Sequence, residues 1–369
     1  MTGILVHEWL APRGGSENVF EVLSDVFPDA ERWCLWNDSG DRFQGVQETW
    51  LARTPLRRSK AAALPFMPAA WRSLPRRDAD WVLCSSHAFA HHARFRETAG
   101  GSDIPKLVYA HTPARYVWVP ETDARGSNPI ARLVSAALRP LDRRRAKEPV
   151  AVAANSQYVA ERIERTWERE ATVIYPPVDV ERFAARPRLT ADEEKTVTGL
   201  PDGYVLGASR FVEYKRLDEV IRAGSLAGLP VVLAGAGPQE AQLRAMAAAV
   251  DIPVTFVIDP SQDLLAELYR RASLLVFAPV EDFGIMPVEA MAAGTPVVVN
   301  ARGGAAESVV DGVTGVHVHE WGDSELRNAV ERSLKTSSSD CEARAKSFDV
   351  NRFREAVRRW VEESAGLGR

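Results

Sequence analysis

The chain has 369 residues, 46% hydrophobic and 26% charged, the balance of a soluble globular protein long enough for two ordinary domains. A formal net charge of -4 speaks against a general nucleic-acid binder, so no nucleic-acid partner is expected. Its three cysteines, Cys34, Cys84 and Cys341, match neither a metal-site spacing nor a disulfide framework, which makes a reducing cytoplasm the default location.

The N-terminal stretch MTGILVHEWL lacks the basic and long apolar regions of a signal peptide. No run approaches the ~18–20 apolar residues of a membrane span, so any membrane contact is expected to be peripheral, on the inner face. GILVHEWLAPRGGSENVFEVLSDVF reads as strand, glycine loop and helix: Val19, Phe20, Val22, Leu23, Val26 and Phe27 recur at helical spacing, with Ser16 placed to cap the start. The span 53–77 follows, with seven basic residues (Arg53, Arg57, Arg58, Lys60, Arg72, Arg76 and Arg77) and no acid. Leu56, Leu64, Phe66, Met67, Trp71 and Leu74 interleave them, which suits either a solvated, snorkelling surface or an element lying on an anionic membrane. Arg139, Arg143, Arg144, Arg145 and Lys147 would extend that surface. Asp78 and Asp80 imitate a D-x-D metal motif, but Asp80 directly precedes an apolar run and reads as an acid at a strand's start. His91, His92 and Ser156 read as structural, and no metal site is expected.

WVLCSS (81–86), KLVYAH (106–111) and VAVAAN (150–155) are short apolar runs, the pattern of parallel strands covered on both faces. A Pro-rich, polar link over 179–200 precedes a second series. Strands are expected at 204–209, 230–235, 254–257, 274–279 and 297–300, and helices from about Arg216, from about Pro238, over 263–271 and from Pro287. The charge splits accordingly: 24 basic residues against 21 acids over 1–175, and 22 against 29 over 176–369.

EDFGIMPVEAMAAGTPVV (281–298) carries two glutamates around a turn. Glu289 after Pro287 suits a first helical turn, where a carboxylate gains ~0.3–1 kcal/mol from the dipole. Glu281 lies ahead of that helix and needs another reason. Between the two, the amides of Phe283, Gly284, Ile285 and Met286 would form an anion cradle at a helix N-terminus. Carboxylates beside such a cradle suit a ligand with hydroxyls next to a phosphate, the layout of a sugar nucleotide.

This segment, continued by GGAAESVVDGVTGVHV (303–318), resembles the E-x7-E signature of retaining family 4 glycosyltransferases with the GT-B fold. That fold is α/β, with two doubly wound Rossmann-like domains facing across a cleft. The domains implied are an acceptor-side domain over 1–178, the linker, a nucleotide-sugar-binding domain over 201–345, and a C-terminal helix over 346–369 returning to the first domain. The family places an Arg and a Lys where GASRFVEYKRLDEVIRA has Arg210 and Lys215, to neutralise a diphosphate. Gly14 and Gly15 in APRGGSE match its N-terminal glycine loop, whose bare backbone lets a phosphate or sugar approach. GAGPQEAQL lacks the third glycine of a dinucleotide fingerprint, because Glu240 stands there. It resembles instead the family's Gly-Asp-Gly-Pro turn, with Ala236 for Asp. HTPARYVW (111–118) resembles the mannosyltransferase-rich exopolysaccharide and O-antigen branch. Where that branch commonly has Asp next, this chain has Val119, with Glu121 nearby.

The resemblance implies a metal-independent hexosyltransferase, with GDP-mannose favoured as donor, a UDP-sugar as the other candidate, and a saccharide or polyprenyl-linked acceptor. Arg210, Lys215 and the amides at 283–286 would stabilise the leaving diphosphate. Glu281 would hold donor-sugar hydroxyls, Glu289 the ribose, and His111 would orient sugar and acceptor. Three rivals share the fold: a nucleotide-sugar epimerase, a pseudo-glycosyltransferase joining cyclitols, and a non-catalytic sugar-nucleotide-binding module.

Overall fold

Short apolar runs in this chain become parallel strands because helices cover both of their faces. The computed structural model describes residues 2–118 and 129–366, so Val119 and Glu121 lie outside the described residues. Two units are resolved: residues Met1–Pro177 together with Phe353–Arg369, and residues Val178–Arg352.

The first unit holds strands β1 (Gly3–His7), β2 (Glu31–Cys34), β3 (Gln47–Glu48), β4 (Trp81–Ser86), β5 (Lys106–Ala110), β6 (Ala151–Ala154) and β7 (Thr172–Val173). They form one parallel sheet in the order β3-β2-β1-β4-β5-β6-β7. Side-chain alternation splits its core. Ile4, Val6, Val82, Cys84 and Val108 face one apolar cluster, and Leu5, Leu83, Leu107 and Tyr109 face the other. The helix Val350–Ser364 closes the second face with Phe353, Val357, Trp360 and Val361.

The second unit holds β8 (Val205–Ala208), β9 (Val231–Ala234), β10 (Val254–Val257), β11 (Leu274–Phe277), β12 (Val297–Asn300) and β13 (Gly315–Val318). Their order is β10-β9-β8-β11-β12-β13, again parallel throughout. Each sheet therefore runs outward in both directions from its first strand, the doubly wound arrangement. Ligands of such sheets bind beyond the carboxyl ends where the order reverses. Those places lie between β1 and β4 in the first unit and between β8 and β11 in the second.

Several expectations are corrected. The segment 179–200, read as a link, contains the helices Val180–Ala184 and Ala191–Thr198. The second opens on a capping box between Thr190 and Glu193, a signal overlooked among the acids and prolines. Ser16 does not cap the first helix: Gly14 occupies that position, the helix runs Gly15–Val26, and the Ser16 hydroxyl donates to Glu17 at 2.9 Å. The basic span 53–77 is not left without acids. Arg57 pairs with Asp38, Arg72 with Glu148 at 2.5 Å and Arg77 with Glu31 at 2.8 Å, all partners remote in sequence. Asp78 and Asp80 accept from separate backbone amides, those of Thr98 and Thr2, at the amino end of β4. Among the described residues no helix is long and apolar enough to cross a membrane.

His91 and His92 are fully buried beside Asp142, a carboxylate with no exposure of its own. Asp142 Oδ2 accepts from the indoles of Trp118 at 2.7 Å and Trp167 at 2.8 Å, while Oδ1 lies 3.1 Å from both imidazoles. Burial alone would raise its pKa, but the two histidines and these hydrogen bonds hold it well below the carboxylate range. The hub joins the helix Pro129–Arg145 to the first unit's core. Asp142→Ala would strand the Trp167 and Trp118 indoles and His92, all of which hydrogen-bond to this carboxylate. We expect the first unit to lose roughly 3 kcal/mol, read by denaturant unfolding followed through Trp fluorescence.

Candidate functional site

Two loops meet at the order reversal of the second sheet. After β8, the chain passes through Arg210 and a single 3-10 turn, Glu213–Lys215. After β11 it reaches Glu281 and then the helix Ile285–Ala292. Lys215 Nζ donates to Glu281 Oε1 at 2.6 Å, joining residues 66 apart in the chain. Both side chains are largely buried. Arg210 is exposed, and its guanidinium donates to Tyr214 Oη at 2.8 Å. The GAG turn holds this loop in place: the Phe211 amide donates to Ala236 O and the Gln239 amide to Phe211 O.

The approach of Glu281 to the next loop depends on glycine. Gly304 donates its amide to Glu281 O at 2.8 Å. A Cβ there would fall 1.9 Å from Asp282 O, so only a bare backbone allows the two loops to pack. Gly284, at φ 82°, is the N-cap of the helix that follows, and Phe283 is buried beneath it. Ile285 and Met286 form the first helical positions, where amides point out of the helix end without intrahelical acceptors.

Glu289 is corrected in place and in kind. The helix starts at Ile285, so Glu289 is its fifth residue, in the second turn and out of reach of a capping role. It is half-buried, and Tyr269 Oη donates to its Oε2 at 3.0 Å. Burial pushes its pKa up to about 7, against the opposing pull of the Tyr269 hydroxyl and of Arg182. Tyr269 is itself fixed, since Thr295 Oγ1 donates to its carbonyl at 2.6 Å and Phe183 packs edge-on against its ring. Tyr269 escaped the sequence reading because it lies inside an ordinary amphipathic helix, Gln262–Arg271.

In the first unit, His111 directly follows β5, and its Nε2 lies 2.8 Å from Ser85 Oγ, which in turn lies 3.0 Å from His7 Nδ1. Gly14 and Gly15 begin the first helix there. A Cβ on Gly14 would fall 2.0 Å from Glu17 Oε2. The glycine thus makes room for a buried glutamate, whose Oε1 accepts from the Ala11 amide and steadies the loop.

His7, Glu8, Ser85 and His87 also stand at this end of the sheet, unforeseen from the sequence. The available signal was position: like His111, each ends or follows one of the apolar strand runs. No metal site is expected from the sequence, but the fold gathers His7 with Glu8 and His87, and His91 with His92 and Asp142, each set within metal-ligand reach. In the second set the Asp142 oxygens are already taken by indoles and imidazoles, which suits structural support.

Comparison with known proteins matches both halves. Residues 13–182 match the family described as Glycosyltransferase Family 4, and residues 190–348 match Glycosyl transferases group 1. The chain is 31% identical over 222 residues to D-inositol 3-phosphate glycosyltransferase from Mycobacterium avium, covering 53% of this chain and 52% of that one. It is 36% identical over 165 residues to the protein of that name from Mycolicibacterium smegmatis, covering 41% and 37%. The chain thus spans about half the length, or less, of these curated relatives. Among solved structures it is similar to HepE from Anabaena in complex with UDP, with TM-score 0.71, 17% identity, and coverage of 98% of this chain and 100% of that one. Sucrose-phosphate synthase from Thermosynechococcus elongatus gives TM-score 0.71 at 16% identity over 100% of both. These likenesses establish the GT-B α/β fold.

The raised pKa of Glu289 has a consequence for stability. Its folded form holds a proton between pH ~4.5 and 7 that the unfolded chain has released, so its contribution to stability is present below pH 4.5 and lost as pH rises through 7. Relative to Glu289→Gln, the parent chain should lose at most ~3 kcal/mol between pH 4.5 and 8, read from paired thermal melts.

Proposed function

We propose that this chain, whose two halves match Glycosyltransferase Family 4 and Glycosyl transferases group 1 in that order, is a retaining hexosyltransferase using a nucleoside-diphosphate sugar. The acceptor is a saccharide or a polyprenyl-linked saccharide. The observation that carries this reading is the Lys215–Glu281 pair, 2.6 Å across the order reversal, beside the helix end at Gly284. A cation, a carboxylate and outward amides side by side suit a diphosphate attached to a polyhydroxylated sugar.

In the reaction, the bond from the anomeric carbon to the β-phosphate oxygen breaks, and its electron pair stays on the nucleoside diphosphate. The acceptor oxygen bonds to that carbon and loses its proton. Arg210, Lys215 and the amides at 283–286 stabilise the charge that builds on the leaving group, the role a metal plays elsewhere. Glu281 holds donor-sugar hydroxyls while Lys215 keeps it in place. Glu289, braced by Tyr269, takes the ribose. His111 orients the sugar and acceptor. The HTPARYVW string favours GDP-mannose. A UDP-sugar is the second reading, supported by the HepE structures with UDP and UDP-glucose.

The test incubates the chain with GDP-mannose and with UDP-glucose, with and without a polyprenyl-linked acceptor, and follows free nucleoside diphosphate. Release that depends on acceptor supports the transferase; donor isomerised without acceptor favours an epimerase, and no release in any mixture removes the proposal. Lys215→Ala and Glu281→Ala should each lower turnover ~10²–10³-fold while the melt falls by only a few degrees. Equal turnover with a lowered melt would make the pair structural.

The segment 53–77 supports a weaker membrane reading now that Asp38, Glu148 and Glu31 answer three of its cations. What supports it still is the exposure of Arg53, Arg58 and Arg76, and of Trp50 and Phe66, the latter two 42% and 45% exposed. Charge reversal at Arg53, Arg58 and Arg76 should at least halve co-sedimentation with phosphatidylserine vesicles. Equal pelleting of parent and variant would end this reading.

A further inference from the structure

The carboxyl ends of β1 and β4 bring together three side chains that the chemistry proposed above leaves unused. His7 closes β1, Glu8 follows it, and His87 follows β4. One nitrogen or oxygen from each lies within 4.8 Å of those of the other two. Proximity of this kind is common, but here two ring nitrogens are also orphans. Nε2 of His7 and Nδ1 of His87 are buried and, among the described residues, have no hydrogen-bond partner. An enclosed ring nitrogen without a partner calls for a group that the protein's own atoms do not supply.

The neighbours of these residues decide which atoms stay open. Glu8 is fully buried, and its Oε1 accepts from the amides of Ala88 and Ala90, both at 2.8 Å, from the His87 amide at 3.1 Å and from Ser86 Oγ at 3.2 Å. Oε2 receives the His87 amide at 3.2 Å and keeps acceptor capacity. His87 Nδ1 lies 3.1 Å from Oε2 without a hydrogen bond between them. Ser85 Oγ lies 3.0 Å from His7 Nδ1 and 2.8 Å from His111 Nε2. A hydroxyl that accepts from the first ring and donates to the second puts the lone pair of His7 on Nε2. Phe20 stacks on the His7 ring with centroids 5.0 Å apart, and Trp9 meets the His87 ring edge-on at 4.8 Å, so packing holds both rings in place.

We propose that His7 Nε2, Glu8 Oε2 and His87 Nδ1 form a binding site for one divalent transition-metal ion of the zinc class. Two imidazole nitrogens and a carboxylate oxygen are a donor set such ions take, whereas magnesium and calcium favour oxygen alone. Ligand atoms around a tetrahedral zinc stand about 3.3 Å apart at ordinary bond lengths, and His87 Nδ1 and Glu8 Oε2 are 3.1 Å apart. Ser85 and the amides on Glu8 Oε1 are the outer partners that orient the ligands. Three protein ligands leave a fourth position for water, and the His87 side chain, 22% exposed, gives the ion a way in. His91, His92 and Asp142 lack these features, since all three are enclosed and Asp142 already accepts from two indoles and from His92. The bound ion ties the end of β1 to that of β4. All of these residues belong to the first unit, and the site does not depend on the transferase reading.

The test takes the full chain without a histidine tag, dialyses it against EDTA, and titrates it with zinc chloride by calorimetry and with cobalt chloride by visible absorption. One zinc should bind per chain, and the melt should rise by ~5 °C at a roughly hundredfold excess over the dissociation constant. Cobalt should give the absorption bands of an ion held by nitrogen and oxygen. His87→Ala should weaken zinc binding at least ~100-fold, and Ser85→Ala, which removes an orienting partner, about tenfold. Should His87→Ala melt early, His87→Gln reads the same loss. Zinc affinity in the His87 variant within about threefold of the parent overturns the assignment. So does a parent that binds no stoichiometric ion at about 100 μM zinc, which makes the contact between Glu8 and His87 an ion pair and nothing more. A parent that transfers sugar without binding zinc leaves the transferase reading standing, and one that binds zinc without releasing diphosphate leaves the metal site standing alone.

Discussion

Both sheets are wound from a central strand toward two edges, and much of the chemistry follows from that. The connections after the two flanking strands leave toward opposite edges, so loops part at the carboxyl ends and backbone amides open between them. In the second unit the parted loops carry Lys215 and Glu281. In the first they carry Glu8 and His87, partners 79 residues apart in the chain. Packing is arranged to permit these approaches, as where Gly304 yields its side-chain space to the Asp282 carbonyl.

The buried carboxylates differ in one controlling respect, the number of donors aimed at them. Asp142 and Glu8 are each met by several N–H groups, which hold them ionised against the cost of burial. Glu289 receives a tyrosine hydroxyl and the more distant pull of Arg182, so burial prevails and its pKa rises to about 7. A carboxylate with both oxygens taken by donors, as in Asp142, is a structural group. One left with spare acceptor capacity remains able to take a ligand's hydroxyls.

The strands were readable from the chain because parallel strands buried on both faces must be continuously apolar: 81–86, 254–257 and 297–300 match β4, β10 and β12 residue for residue. β2 was not, since Glu31 and Arg32 open it with charge, and β3 and β7 are two residues each, too short for any periodicity. The helix Ala191–Thr198 hid in an acidic stretch because its stability comes from a capping box rather than a broad apolar face. Local spacing also misjudged Ser16 and Glu289, where a shift of a residue or two in the helix start changes which group can cap.

By itself the sequence determined two α/β domains and marked Glu281, Arg210 and Lys215 as groups following buried strands, because burial and strand ends leave a local imprint on residue order. Only the tertiary structure decided who meets whom. Asp38, Glu31 and Glu148 answer a basic segment that has no acid within it, Tyr269 braces Glu289, and Glu8 reaches His87. Coulombic and hydrogen-bonding partners are chosen by distance in space. In a doubly wound sheet, neighbours in space are strands apart in the chain, so no local pattern records them.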